Sequence, residues 1–209
     1  MSAKQAKASS NKKVGESRRK LPPEARREQI LEAAHVCFGE SGYHAATMDD
    51  LVRASGLSKG SLYWHFQSKE EVFLGLLDAV SENIFADWDA INSTSRNSLE
   101  ILRRNFESSV ESFSRERTFL RSWIEFLSHP AARKRMSNAY ADSRGRLAKT
   151  IEDGRAEGSL RAGPPAEQVA ASLIGVVEGL LLQGLVDPKF DLKMHVATAW
   201  EITSRGLCV

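Results

Sequence analysis

Apolar residues recur along the chain at the three- and four-residue spacing that is typical of helices. In the first third, this pattern and its N-cap, proline and glycine signals predict helices over about 22–41, 48–55 and 59–66. A fourth helix is predicted to begin after Ser68, where Ser68 and Glu71 form a capping-box pattern. Strand-like alternation is nearly absent, so the sequence predicts an all-α fold.

The rest of the chain carries longer apolar stripes that are interrupted by proline and glycine. They predict two helices between about 99 and 129, then helices over 131–157, 166–186 and 191–206. No uninterrupted apolar run approaches the roughly 20 residues needed to span a bilayer. We therefore expect a basic arm over 1–20, a helix-turn-helix domain over 21–80 and a larger helical domain over 81–209.

Charge is distributed unevenly, although the formal net charge of the chain is only +2. Residues 1–20 hold seven basic side chains against one acidic side chain, whereas residues 21–80 hold five basic against nine acidic. A basic arm of this kind often reaches for nucleic-acid phosphates, and a solubilising or cloning-derived tail is the alternative interpretation. If the segment 21–80 binds DNA, the placement of its charges matters more than their sum.

Several functional classes find no support in the sequence. Cys37 and Cys208 lie far apart and outside any CxxC spacing, which argues against a zinc site or a disulfide scaffold. No HExxH or glycine-rich phosphate loop is present and no His/Cys/Asp cluster is visible, so we predict no enzyme activity, no metal and no cofactor. The basic N-terminus is not followed by an apolar stretch, and we expect a cytoplasmic protein.

The two short helices around Gly56-Leu57-Ser58 have the spacing of a helix-turn-helix. Spacing alone is a weak signal, because helix hairpins of this size occur in many proteins that never bind DNA. The residues are more specific: the segment 47–66, above all Leu62-Tyr63-Trp64-His65-Phe66 followed by Lys69, resembles the tetracycline-repressor (TetR) family. The resemblance covers roughly residues 25–80.

The resemblance implies roles for individual positions at a DNA surface. It implies that Thr47 caps the second helix and touches a phosphate, and that residues 58–61 read base edges. Tyr63 and His65 match positions that contact the DNA backbone, and Lys69 matches a phosphate-binding position. For Trp64, stacking on DNA and packing within the domain remain open. The candidate DNA-binding residues are thus Thr47, Ser58, Lys59, Gly60, Ser61, Tyr63, Trp64, His65 and Lys69.

Aromatic residues are unusually frequent between positions 98 and 140, and such side chains can line an apolar ligand cavity or fill an ordinary core. The TetR resemblance implies a small-molecule pocket in a divergent C-terminal domain. The candidate pocket residues are Phe106, Phe113, Trp123, Phe126, Tyr140 and Gln183, with Glu125 as a further polar candidate.

The last two predicted helices carry broad apolar stripes, which require burial on several sides. In TetR-like proteins two such helices pair with their mates in a four-helix dimer interface, and a monomeric core is the alternative. The candidate interface residues are Leu173, Val176, Leu180, Val196, Trp200 and Thr203.

Together these observations predict a homodimeric, ligand-responsive transcriptional regulator, most simply a repressor, that binds palindromic operator DNA and is released by a small-molecule effector. A two-fold dimer suits this role because it reads two half-sites spaced by about one helical turn or a multiple of it. Two alternatives stay open: an enzyme with a DNA-tethering head, for which no chemistry is visible, and a DNA-binding protein without a ligand. A cavity packed solid with side chains favours the latter, and an apolar void favours the effector-controlled regulator.

Overall fold

The computed structural model describes residues 22–115 and 117–208, and within these ranges the side chains of 113–115, 117–119 and 123 lie outside the description. The regular elements of the described residues are all helices, joined by turns and loops, and Leu160 and Cys208 form an isolated antiparallel bridge. The predicted all-α fold is confirmed. The helices are α1 (Pro23–Ser41), α2 (Met48–Ser55), α3 (Lys59–His65), α4 (Lys69–Thr94), α5 (Ser98–Arg115), α6 (Arg117–Phe126), α7 (Pro130–Glu157), α8 (Ala166–Val186) and α9 (Leu192–Leu207).

The boundaries of the first helices follow from local side-chain chemistry. Thr47 and Asp50 form a reciprocal capping box at the start of α2, and Gly56 ends that helix with a left-handed φ of 65°. Ser58 then accepts a hydrogen bond from the Ser61 N–H and starts α3. Because Gly56 and Ser58 lie only two residues apart, the chain turns sharply between the two helices.

Two apolar cores divide the molecule. The first, which we call the head, consists of α1 to α3 and the first half of α4, together with Phe126 of α6 and Ala132 at the start of α7. The second, the body, consists of the second half of α4 with α5 and α7 to α9, together with Leu120 of α6. Helix α4 contributes Phe73 and Leu77 to the head and Trp88 to the body. The boundary expected between residues 80 and 81 therefore falls inside one continuous helix.

Helix α6 packs against the head, although it lies outside the helix-turn-helix domain that was predicted over 21–80. Phe126 is buried, and its ring centroid lies 4.4 Å from that of Tyr43 and 4.3 Å from that of Phe73. The Ser122 hydroxyl, also buried, donates to the Phe38 carbonyl at the end of α1. The Glu125 carboxylate accepts from the Tyr43 N–H at 3.1 Å. The loop between α1 and α2 is thus held by side chains that follow it by about 80 residues.

Helix α8 corrects one sequence expectation. It has 21 residues and a most apolar window of mean hydropathy 1.9, which by length and composition alone is enough to cross a membrane. In the sequence, scattered glycines and Glu178 interrupt the apolar residues of α8. No uninterrupted apolar run is therefore as long as the helix itself. Only 28% of that window is buried within the protomer. The exposed large apolar residues of α8 and α9 are Val176, Leu182, Val186, Met194 and Ile202.

Candidate nucleic-acid interface and ligand cavity

Helix α3 is anchored on one side and open on the other. Leu62 is fully buried in the core of the head. Ser58, Lys59 and Gly60 are exposed at the start of the helix, and nothing lies within 4 Å of the position of a Cβ added at Gly60. Trp64 is 70% exposed. Trp64 is therefore not packed in the core of the head, and its stacking on DNA stays a prediction.

Lys59 is paired with an acid from the preceding helix. Its ammonium lies 2.9 Å from Asp49 Oδ1 and 5.9 Å from the Tyr63 ring centroid. The hydrogen bond and the negative charge of Asp49 raise the pKa of Lys59 above its ordinary value. Both side chains of the pair are mostly exposed. The interaction therefore fixes the position of Lys59 at the surface and also offsets part of its charge.

Thr47 uses its hydroxyl and its backbone N–H to cap the start of α2. Its hydroxyl accepts from the Asp50 N–H at 3.2 Å, while its N–H donates to the Asp50 carboxylate at 2.9 Å. The hydrogen bonds from the Thr47 side chain and backbone lower the pKa of Asp50. The implied phosphate contact of Thr47 stays a prediction.

Lys69, at the first position of α4, clamps the loop between α1 and α2. Its ammonium donates to the carbonyl oxygens of Tyr43 at 2.7 Å, His44 at 3.2 Å and Ala46 at 2.8 Å. It also lies 4.5 Å from the Tyr43 ring centroid. Partial burial lowers the pKa of Lys69, but all three ammonium hydrogens have acceptors. Its phosphate-binding role stays a prediction that requires the ammonium to leave this loop.

His65, at the end of α3, is half-buried. Its ring packs edge-on against Trp64, with the two centroids 4.6 Å apart. Burial lowers the pKa of His65, and the positive charges of Arg26 and Arg27 lower it further. The imidazole is therefore biased towards its neutral form. Its contact with the DNA backbone stays a prediction.

The body contains an apolar cavity of about 120 Å³ between α4, α5, α7 and α8. Each helix contributes one face, because the lining residues recur at helical spacing: 81, 84, 85 and 88 on α4, and 102, 105, 106 and 109 on α5. The aromatic rings in the lining are Phe85, Trp88, Phe106 and Tyr140. The cavity is neither packed solid nor a closed void of several hundred Å³.

A few polar groups face this apolar lining. The Tyr140 hydroxyl donates to the Glu178 carboxylate, and burial, this hydrogen bond and the charge of Glu178 raise the pKa of Tyr140 well above its ordinary value. Trp88 Nε1 donates to Ser109 Oγ at 3.3 Å. Asn105 is 2% exposed, and its Oδ1 has no hydrogen-bond partner in the described structure. A buried acceptor without a donor is costly unless a ligand or water completes it.

The structure brings together only part of the predicted pocket. Phe106 and Tyr140 line the cavity, but Phe126 packs in the head and does not. Gln183 does not line the cavity either: it is exposed, and its Nε2 donates to the Gly179 carbonyl in its own helix. The side chains of Phe113 and Trp123 lie outside the described residues.

Glu178 and Asn105, two polar residues of the cavity lining, were not among the predicted pocket residues. Glu178 was detectable, since it is the one acid that interrupts the long apolar segment of α8 after its first turn. Asn105 gave a weaker signal, because it lies between Leu102 and Phe106 on the apolar stripe of α5.

The candidate dimer residues are divided between the core and the surface. Leu173 and Val196 are buried within the protomer's own body, and Leu173 also lines the cavity. Leu180, Trp200 and Thr203 are half-buried, whereas Val176 is 37% exposed. Among these six residues, Val176 is the most exposed.

Comparison with known sequences assigns both halves of the chain. Residues 30–76 match the profile of the bacterial regulatory proteins of the tetR family, and residues 97–206 match that of the BetI-type transcriptional repressor C-terminal domain. The transcriptional activator FasR of Mycolicibacterium smegmatis is 38% identical over 95 residues, 45% of this chain and 41% of that protein. The match spans about four tenths of the length of such curated relatives.

Solved structures show the same fold over nearly the whole chain. SmeT, the repressor of the Stenotrophomonas maltophilia multidrug efflux pump SmeDEF, is 25% identical with a TM-score of 0.74, over 90% of this chain and 92% of SmeT. A transcriptional regulator from Saccharomonospora viridis, solved in complex with choline, is 25% identical with a TM-score of 0.76, over 90% of this chain and all of that one.

Proposed function

Because this chain belongs to the TetR family of bacterial regulatory proteins, we propose that it is a ligand-responsive repressor that binds palindromic operator DNA as a homodimer. The observation that carries the DNA-binding proposal is the open face of α3, where Lys59 and Trp64 are exposed while Leu62 fixes the helix to the head. An exposed second helix of a helix-turn-helix is the element that enters the major groove. Its action on operator DNA places the protein in the cytoplasm.

The Lys59–Asp49 pair provides the sharpest test of this surface. We expect Lys59→Ala to weaken operator binding by about tenfold or more, because a cation at the groove is lost from each protomer. Asp49→Asn is expected to strengthen binding several-fold, since it frees Lys59 and removes a negative charge near the phosphates. Fluorescence anisotropy on DNA fragments selected from a genomic pool measures both effects.

The matched control is another exposed lysine–aspartate pair, Lys149 and Asp153 on α7, whose closest atoms are 2.7 Å apart. Lys149→Ala and Asp153→Asn should leave operator affinity unchanged. If Lys59→Ala binds as tightly as the parent protein, or if no double-stranded sequence is preferred at moderate salt, the proposed DNA surface is wrong. The selected fragments should also contain two related half-sites about one helical turn apart, or a multiple of it.

The dimer proposal is supported by the apolar face that α8 and α9 leave open. Val176 on α8 and Ile202 on α9 are exposed large apolar residues, and Gly175 and Gly179 have no neighbour within 4 Å of an added Cβ. Small residues beside apolar ones allow a second helix to approach closely, and a two-fold pairing covers both copies of the face at once. The family's two-fold architecture supports the same arrangement.

Val176→Glu tests this face, because it places a charge in the proposed interface. We expect the parent protein to sediment as a dimer at micromolar concentration and the variant to sediment mainly as a monomer. Val36→Glu is the control, since Val36 is equally apolar and 53% exposed on α1, away from α8 and α9. A parent protein that is monomeric at high concentration, or a Val176→Glu dimer as stable as the parent dimer, contradicts the proposal.

The effector proposal is supported by the cavity in the body. Its apolar lining with a few polar groups is the usual composition of a small-molecule site. A neighbour of the same fold was solved with choline bound, which supports a small organic effector here. For release, the effector must bind the DNA-free arrangement more tightly than the DNA-bound one, because equal affinity shifts nothing.

A further inference from the structure

The cavity is not sealed, because a vestibule of about 380 Å³ lies against it between α4 and α7. The two spaces share the lining residues Ser81, Phe85, Met136 and Ala139. A molecule in the vestibule therefore touches the same side chains as a molecule in the cavity. The gap between α4 and α7 is therefore the side on which only these shared side chains separate the vestibule from the aromatic interior.

Two ion pairs hold the edges of this gap. Arg135 on α7 pairs with Asp78 on α4, and Arg146 pairs with Asp89 at 2.6 Å. The two pairs are separated by about three helical turns on both helices. The Arg146 guanidinium also lies 4.7 Å from the Phe85 ring centroid. The arginines nearest the gap are therefore neutralised by their own aspartates.

Between these ion pairs the mouth of the vestibule is acidic. Glu82 on α4 and Asp142 on α7 both line it, both are exposed, and neither has an ion-pair partner within the described part of the chain. Arg135 is the only basic residue in the described lining, and Asp78 already pairs with it. The mouth thus carries an excess of negative charge, which attracts cations and repels anions.

The cavity lining, like the mouth of the vestibule, favours positive charge. Glu178 is the one acidic residue of the cavity lining, and that lining includes no Lys, Arg or His among the described residues. Tyr140 donates one hydrogen bond to Glu178 but supplies no positive charge. A carboxylate in an apolar site is stabilised by a cation, and the aromatic rings of Trp88 and Phe106 in the same lining can attract a cation as well. The ring of Phe85 already has the Arg146 guanidinium against it.

From this arrangement we infer that the cavity takes a small lipophilic organic cation, which reaches Glu178 through the acidic mouth between α4 and α7. The inference rests on the proposed function, in that this ligand would be the effector of the regulator. The volume of about 120 Å³ is close to the ~150 Å³ of a cavity known to hold benzene, so the cavity itself takes a single ring or a small alkyl cation. A ligand with a ring and a cationic group also needs space from the adjoining vestibule of about 380 Å³. Asn105 Oδ1 remains as an acceptor for a donor group on the same ligand.

Three probes of closely similar size and shape separate charge from fit: the cation phenyltrimethylammonium, its neutral analogue tert-butylbenzene and the anion benzenesulfonate. Calorimetric titration of the full-length protein without DNA measures their affinities. We expect the cation to bind at least about tenfold more tightly than the neutral analogue, and the anion not to bind. Equal affinity for the cation and the neutral analogue, or no binding of the cation, overturns the inference.

The role of Glu178 is tested by substitution. Glu178→Gln should weaken phenyltrimethylammonium about tenfold or more and leave tert-butylbenzene unchanged, because only the charge is removed. Glu167→Gln is the control, since Glu167 lies on the same helix but its side chain is 74% exposed, outside the cavity. If Glu178→Gln weakens both probes equally, the residue supports the fold of the cavity and does not recognise charge.

The access route has a kinetic signature. Asp142→Asn should slow association of the cation about two- to fivefold and reduce its salt dependence, with little change in dissociation. Glu152→Gln, an exposed charge removal elsewhere on α7, should change neither rate. Stopped-flow tryptophan fluorescence follows both rates, because Trp88 lies in the cavity lining. An association rate that Asp142→Asn leaves unaltered rules out access through this mouth.

Operator binding is measured separately, so the two proposals fail in different ways. If the cation does not bind but the protein still selects an operator, the ligand class is wrong and the repressor proposal stands. If the cation binds in the cavity but no operator is selected, the DNA-binding proposal is wrong. If both bind but the cation leaves operator affinity unchanged, the cavity is not an effector site.

Discussion

Replacing Phe126 with alanine is expected to lower the free energy of unfolding by about 3–5 kcal/mol, the range for removing a large aromatic side chain from a core. Phe126 is 1% exposed and lies between Tyr43 and Phe73 in the head. The missing ring leaves a void in a cluster whose other members come from α1, α4 and the loop after α1. Operator binding should fall as well, because that loop leads directly to Thr47 and α2.

Ile124→Ala is the control for this change, because Ile124 lies on the same helix and is 40% exposed. We expect it to cost about 1 kcal/mol or less, since little apolar area leaves a buried site. Urea unfolding followed by tryptophan fluorescence and circular dichroism gives both values. Similar losses for the two variants would show that Phe126 stabilises α6 alone and not the contact between α6 and the head.

The second large effect is expected at Lys69. Lys69→Met removes three charge-assisted hydrogen bonds and leaves the carbonyls of Tyr43 and Ala46 without their donor. We expect a loss of about 2–3 kcal/mol of stability, comparable to one or two hydrogen bonds to a charged group. Lys149→Met, at an exposed i,i+4 pair, should change stability by no more than about 0.5 kcal/mol.

The same variant distinguishes two roles for Lys69. If the ammonium stays on the loop when DNA binds, Lys69→Met weakens operator binding but leaves the salt dependence of the affinity unchanged. If Lys69 moves to a phosphate, the slope of log affinity against log salt should fall by about one for each lost contact. A variant with parental stability would contradict the loop contacts altogether.

Local chemistry explains why the helices of the head could be predicted from the sequence. Thr47, Gly56 and Ser58 act within three or four residues of their own positions, as a cap, a left-handed stop and a second cap. The buried face of α3 was also visible, because Leu62 and Phe66 lie four residues apart on the same side. Such signals need no knowledge of what the helix packs against.

Long-range partners explain most of what could not be predicted. Helical periodicity shows that Phe126 belongs on a buried face, but not that this face packs against Tyr43, more than 80 residues earlier. Lys69 looks like a free cation at a helix start until the carbonyls of the preceding loop are seen around it. Likewise, the pairing of Tyr140 with Glu178 depends on how α7 and α8 are set against each other.

Helix α4 gives these contacts a mechanical consequence. Its first residue, Lys69, clamps the loop that leads to α2, while Trp88, about 28 Å further along the axis, lines the cavity. An unbroken helix of this length moves as a stiff lever. A tilt of about 5° about its centre would shift each end by on the order of 1 Å in opposite directions. A ligand that pushes on Trp88 would therefore displace Lys69 and the loop it holds, with no need for either core to unfold.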